Sequence, residues 1–240
     1  MQGSFFLGAG SAPKFEMREM HFSSLRPNQV MVKVHACGVC GTDVHIYHGE
    51  EGSAAVTPPV VIGHEFSGVV VEVGAGVTAC APGDHVAVDP NVYCGKCRPC
   101  RMGKKQNCRN LFAFGVNANG GFAEYCVVPQ EQCILVDKDV DLDVAAMMEP
   151  LACAIHGIDK LEIRPGENVV VIGGGAIGLI MVQLARLSGA AKVLLSEPVS
   201  IRQQIGLEVG ADAVVDPMTE DLKEKIRETF GTDGADAVIE

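Results

Sequence analysis

The chain has 240 residues, 48% of them hydrophobic and 20% charged, with a formal net charge of −11. That length supports one large domain or two modest ones, and the acidic balance argues against nucleic acid as a partner, since phosphate recognition draws on clustered Lys and Arg. No run of about 18 apolar residues offers a membrane span, and the opening MQGSFFLGAGSAPKFEMREM lacks the long apolar core of a secretory signal, which places the protein in the cytoplasm.

Up to about residue 150 the sequence reads as short strands between turns. QVMVKVHACGV alternates, FSGVVVEVG is β-branched, and GDHVAVDP and FAEYCVVP repeat the pattern, with Gly and Pro in the gaps. This predicts an antiparallel, barrel-like β-domain. After residue 165 the rhythm changes. ENVVVIG is a strand, GAIGLIMVQLARLSG a helix ending at Gly189, and KVLLSE a second strand. SIRQQIGLEVG, AVVDP and EDLKEKIRETFG follow as helix, strand and helix, and ADAVIE opens a fourth strand. Strand and helix in alternation predict a parallel sheet with right-handed crossovers. The expected architecture is α/β with a β-rich domain over 1–155 and a doubly wound sheet over 156–240. A six-stranded nucleotide-binding sheet would be about half built at Glu240, so the expectation is a piece of a longer protein.

The segment CGKCRPCRMGKKQNC (94–108) puts Cys94, Cys97, Cys100 and Cys108 within fifteen residues. Two-residue gaps let neighbouring thiolates face one centre. Four sulfurs complete a tetrahedron around Zn²⁺ and leave no open position, so such a site is structural. Lys96, Arg98, Arg101, Lys104, Lys105 and Arg109 would offset the charge of about −2 on zinc with four thiolates. The alternatives are unbound thiols or two disulfides. A nucleic-acid-binding zinc ribbon would space its two pairs further apart. The chain has ten cysteines; Cys37, Cys80, Cys126, Cys133 and Cys153 lie in apolar or strand-like context and read as buried thiols.

An open metal site needs other ligands. CGVCGTDVHIYHG and VIGHEFSG supply Cys40, His64 and Glu65, and MMEPLACAIHG supplies Glu149, a carboxylate in an apolar stretch that needs a cation or strong hydrogen bonds. Asp43 can accept a hydrogen bond from His64 and fix its tautomer. Each has a plain alternative: Cys40 a core thiol, His64 a satisfied core histidine, Glu149 a helix N-terminal charge. His21, His35, His48 and His85 read as surface or strand positions, and His156 stays open.

VVVIGGGAIGLI carries Gly173-x-Gly175-x-x-Gly178 between a strand and a helix, with Ile177 in the loop's second half. The first glycine permits the tight turn, the second admits a pyrophosphate, and the third lets helix and sheet close up. The helix N-terminus offers unpaired N–H groups to the phosphates. Glu197 ends the next strand at the distance expected of an acid that binds ribose hydroxyls. It would repel a 2′-phosphate, favouring NAD over NADP; Arg202 works the other way. A ligand-free strand–helix turn is the alternative.

Together CGVCGTDVH, GHEFSGVV, the four-cysteine loop, GGFAEY and VIGGGAIG resemble the medium-chain zinc-dependent alcohol dehydrogenases, over essentially the whole chain. The resemblance implies a GroES-like catalytic domain and a Rossmann cofactor domain. It implies that Cys40, His64 and Glu149 gather at one catalytic zinc, with Glu65 ligating directly or standing behind it, and that the four-cysteine loop holds a structural zinc. It assigns a proton relay to Thr42 and His45, the latter of a residue type that exchanges protons near neutral pH. The implied reaction is hydride transfer from a secondary alcohol to NAD, in a parent protein that is a homo-oligomer. The carboxylate before Pro150 is similar to sorbitol and butanediol dehydrogenases, pointing to a polyol or vicinal diol; CGTDVHIY is similar to L-threonine 3-dehydrogenase. Two further readings compete: a quinone reductase of the same fold without catalytic zinc, and an inactive metal-binding fragment.

Overall fold

The computed structural model describes residues 1–12, 14–50 and 56–240. They form two compact units, Met1–Glu149 and Pro150–Glu240. The division falls ahead of the expected 155/156 boundary, inside a helix.

In chain order the first unit contains β1 (Gln2–Phe6), β2 (Phe15–Glu19), β3 (Gln29–Gly38), α1 (Gly41–His48), β4 (Val60–Val61), β5 (Glu65–Val73) and β6 (His85–Val88). It continues with β7 (Asn91–Val92), α2 (Arg98–Arg101), β8 (Phe112–Ala113), β9 (Tyr125–Pro129), β10 (Cys133–Val136) and α3 (Leu142–Ala146). Five antiparallel strands pair in the order β10-β6-β5-β3-β9, and a smaller sheet runs β2-β1-β4. Alternate residues of the larger sheet turn to one core: Val30, Val32, Phe66, Val70, Val86, Cys126 and Val128. This is the two-residue period that the sequence shows. The short strands β7 and β8 pair at the neck of the cysteine-rich segment.

Helix α4 (Met148–Leu161) leads into the second unit, followed by β11 (Asn168–Ile172), α5 (Ala176–Leu187), β12 (Lys192–Ser196), α6 (Ser200–Glu208), β13 (Ala213–Val215), α7 (Leu222–Phe230) and β14 (Ala237–Ile239). The sheet is parallel, in the order β13-β12-β11-β14. Both faces are covered. Val169, Val171, Val193 and Leu195 pack with Met181, Val182 and Ala185 of α5. Val170, Leu194 and Val215 pack with Phe230 of α7. Burial on both faces explains why these strands read as continuous apolar runs. No helix among the described residues is long and apolar enough to cross a membrane.

Candidate metal centres and cofactor loop

Strand register brings the first site together. β3 and β5 are antiparallel, with Gly38 opposite Glu65. Cys40, two residues past the end of β3, and His64, one residue before β5, therefore emerge at the same end of neighbouring strands. A side chain at Gly38 would meet the Glu65 carboxylate, its Cβ falling 2.3 Å from Oε2, so glycine there makes room for that group. The Cys40 sulfur, a His64 nitrogen and a Glu65 oxygen lie within 4.8 Å of one another. Glu149 lies outside that close set, but its charge acts on His64.

Asp43, only 3% exposed, supports the group. Its Oδ2 accepts the Cys40 N–H at 2.9 Å, satisfying an open donor at the start of α1. Its Oδ1 stands 3.7 Å from His64 Nδ1, and neither atom has a hydrogen-bond partner. The two face each other as expected for an acid orienting an imidazole, at a distance longer than a hydrogen bond. Burial pushes the Asp43 carboxyl up, against the pull of the Cys40 N–H.

Burial tends to lower the His64 pKa, but the hydrogen bond with Cys40 and the charges of Asp43, Cys40 and Glu149 outweigh it and raise it to about 9. A cluster that holds a proton on its imidazole carries surplus negative charge. A divalent cation satisfies the same surplus, and thiolate, imidazole and carboxylate are zinc-type donors. The residues fit the metal. Binding must displace the His64 proton, so zinc affinity here is expected to climb as the pH rises from neutrality toward about 9. Calorimetric titration at several pH values checks this; a flat profile across that window would contradict it.

The second cluster stands apart. The sulfurs of Cys94, Cys97, Cys100 and Cys108 all lie within 4.8 Å of one another. Cys97 and Cys100 are 3.3 Å apart, and Cys108 Sγ accepts the Cys94 N–H at 3.3 Å. Backbone N–H groups hold the Cys94 and Cys97 thiols below their ordinary range, while burial pushes Cys100 up. Four converging sulfurs fit a closed metal site. None of the described cysteines forms a disulfide, so that alternative is not what the geometry presents. Of the five cysteines read as buried thiols, Cys126 and Cys133 are buried and Cys37 and Cys80 half-buried. Cys153 is exposed on α4, a correction to the expectation: apolar neighbours in sequence do not by themselves bury a residue. A third group, His35, Asp141 and Asp143, is exposed, and Asp141 serves there as the N-cap of α3.

In the second unit, Gly173 has a φ of 95°, a left-handed conformation that favours glycine. A Cβ at Gly178 would fall 1.8 Å from the Gly173 carbonyl oxygen, so only glycine lets α5 start so close to β11. The N-cap Gly175 offers no side-chain cap, leaving the first N–H groups of α5 without one. Ile177, the second residue of α5, is exposed. Glu197 is 3% exposed; its Oε2 accepts the Gly174 N–H at 2.6 Å and its Oε1 the Val199 N–H at 2.8 Å. The carboxylate therefore braces the loop, a role the sequence did not suggest. Arg202 Nη1 stands 4.0 Å from it.

Known proteins share both halves. The alcohol dehydrogenase GroES-like domain family matches residues 26–138, and the zinc-binding dehydrogenase family matches residues 176–240. An L-threonine 3-dehydrogenase of Caldanaerobacter subterraneus subsp. tengcongensis is 39% identical over 215 residues, covering 89% of this chain and 62% of its own length. One from Pyrococcus abyssi is 38% identical over 226 residues, covering 94% and 65%. This chain thus spans less than two thirds of those relatives. A crystal structure described as a zinc-binding dehydrogenase from Sinorhizobium meliloti 1021, bound to NADP, superposes with a TM-score of 0.90 at 42% identity, over 99% of this chain and 69% of that one. An alcohol dehydrogenase from E. coli CFT073 complexed with NADH gives 0.85 at 34%, over 95% and 66%.

Proposed function

The chain belongs to the medium-chain zinc-dependent alcohol dehydrogenases, and on that premise we propose that the full-length protein oxidises a secondary alcohol, passing hydride to NAD. The observation that carries this reading is the approach of Cys40, His64 and Glu65 to within 4.8 Å of one another.

In this reading Cys40, His64 and a carboxylate, Glu65 or Glu149, hold the catalytic metal, and Cys94, Cys97, Cys100 and Cys108 hold the structural one. Bound at the first site, Zn²⁺ supplies Lewis acidity that makes an alcohol hydroxyl easier to deprotonate. The protein's side chains do the rest. Asp43 keeps the start of α1 in place and faces His64 Nδ1. Thr42 and His45, three residues apart on α1, share a helix face and carry the released proton outward. The open N–H groups of α5 receive the cofactor pyrophosphate, and Gly178 lets the helix come close. The cysteines without disulfides suit a reducing compartment such as the cytoplasm.

NAD is the preferred cofactor because the Glu197 charge opposes a 2′-phosphate, with Arg202 as the partial counterweight. Since Glu197 also braces Gly174 and Val199, Glu197→Ala is expected to weaken NAD binding by about tenfold while moving the NADP-to-NAD ratio upward. Fluorescence titration with both cofactors measures it; an unchanged ratio would take the ribose role from Glu197.

Two substrate classes share this chemistry. A polyol or vicinal diol follows from the carboxylate before Pro150. L-threonine follows from CGTDVHIY and from the names of the relatives. Both place a second polar group beside the reacting carbon. Assaying the full-length protein with polyols, vicinal diols and L-threonine, each with NAD and NADP, decides between them. Absence of nicotinamide reduction with every alcohol would overturn the reading.

A further inference from the structure

Exposure rises along one face of α1. Thr42 is half-buried and the His45 side chain is 59% exposed. The helix ends at Gly49, whose φ of 75° turns the chain back so that the Glu50 N–H donates to the His45 carbonyl at 3.0 Å. That turn lays the Glu50 carboxylate, through Oε2, on His45 Nδ1. A carboxylate only accepts. In the neutral imidazole the contact therefore requires the proton on Nδ1 and leaves Nε2 with its lone pair.

We propose that Glu50 is a positioning residue for the proton path: it fixes His45 as the Nδ1–H tautomer, so that Nε2 is the atom that takes the proton released from the alcohol. This rests on the dehydrogenase reading above. The proton leaving the substrate hydroxyl arrives at Nε2 and departs from there to water. The Nδ1–H bond stays intact, and Glu50 remains an anion that steadies the imidazolium between the two events. The imidazole beside it holds the Glu50 carboxyl below its ordinary range, and His48 adds to that pull. The charged groups nearby are otherwise engaged: Lys14 Nζ, from the segment between β1 and β2, donates to the Tyr47 carbonyl at 2.9 Å, and Asp43 on the helix is buried against His64. The arrangement parallels a metal-bound histidine whose second nitrogen is oriented by an acid, applied here to a histidine that carries protons.

A residue that merely terminated α1 would affect stability and nothing else. Two readouts on the full-length protein separate the roles. Long-range ¹H–¹⁵N spectra of the neutral His45 imidazole are expected to show the proton on Nδ1 and to show it moving to Nε2 in Glu50→Ala. The same variant is expected to lose about tenfold in kcat with KM within about twofold. Its solvent deuterium isotope effect should grow as proton transfer becomes limiting, and Glu50→Asp should recover part of the rate. A wild-type His45 protonated on Nε2, or an unaltered kcat in Glu50→Ala, would overturn the proposal. Failure of the wild-type protein to oxidise any alcohol would instead strike the dehydrogenase reading. The tautomer result stands apart from it, because it needs no turnover.

Discussion

Cys40→Ser is expected to lower turnover of the full-length protein by ~10³-fold or more, with the fold intact and one zinc lost per chain. The structural work at this position is done by the backbone: the Cys40 N–H donates to Asp43 Oδ2 and starts α1, and serine leaves that bond in place. What serine removes is the soft donor. An alcohol oxygen is a poor substitute for thiolate at Zn²⁺, and His64, raised to about 9 partly through its hydrogen bond with Cys40, also loses that partner. The loss should therefore appear as reduced metal content and reduced kcat together. Thermal unfolding and metal analysis on the same sample give the check. A variant with full zinc and undiminished turnover would remove Cys40 from the site.

Cys97→Ser is expected to act on the other side of the ledger. None of the buried core clusters among the described residues includes a residue of the loop between β7 and β8. With one two-residue ribbon at its neck, this lobe relies on its metal in place of a core, as small metal-stapled domains do. Removing one of four thiolates should cost about 3 kcal/mol or more and lower the melting temperature by roughly 6–12 °C. Proteolytic nicking within 94–108 should follow. The chemistry at Cys40 and His64 should change little by comparison. A variant that still carries both metals and melts with wild type would contradict the brace.

The two clusters differ in how legible they were. The four-cysteine loop is local: its sulfurs lie within one turn-rich segment, so spacing alone suggests that they converge, as they do. The glycine loop is legible for the same reason, since strand, turn and helix are adjacent in sequence. The open site is not. Cys40 and His64 meet because Gly38 is opposite Glu65 in the β3–β5 pairing, and register between distant strands leaves no mark in either segment. Only the resemblance joined them.

Misses have similar causes. Helix α1 buries just Asp43 and Ile46 among its eight residues, so it shows no apolar stripe to read. Strand β2 is an exposed edge, FEMRE, with charges where a buried strand would have Val or Ile. Asp43 was legible as a partner for His64 but not as the cap of α1. Glu197 was read as a ribose acceptor, and its bonds to Gly174 and Val199 depend on the closeness of two loops. Glu50 had no signal at all; its contact with His45 follows from the turn at Gly49. The strands of the second unit, covered on both faces, and the helices between them were the most readable elements.

Anomalous diffraction at the zinc edge on crystals of the full-length protein decides the two-metal arrangement. Two peaks per chain are expected, one among Cys94, Cys97, Cys100 and Cys108, the other against Cys40, His64 and a carboxylate of Glu65 or Glu149. A single peak at the four cysteines, with none beside His64 in zinc-replete crystals, would contradict it.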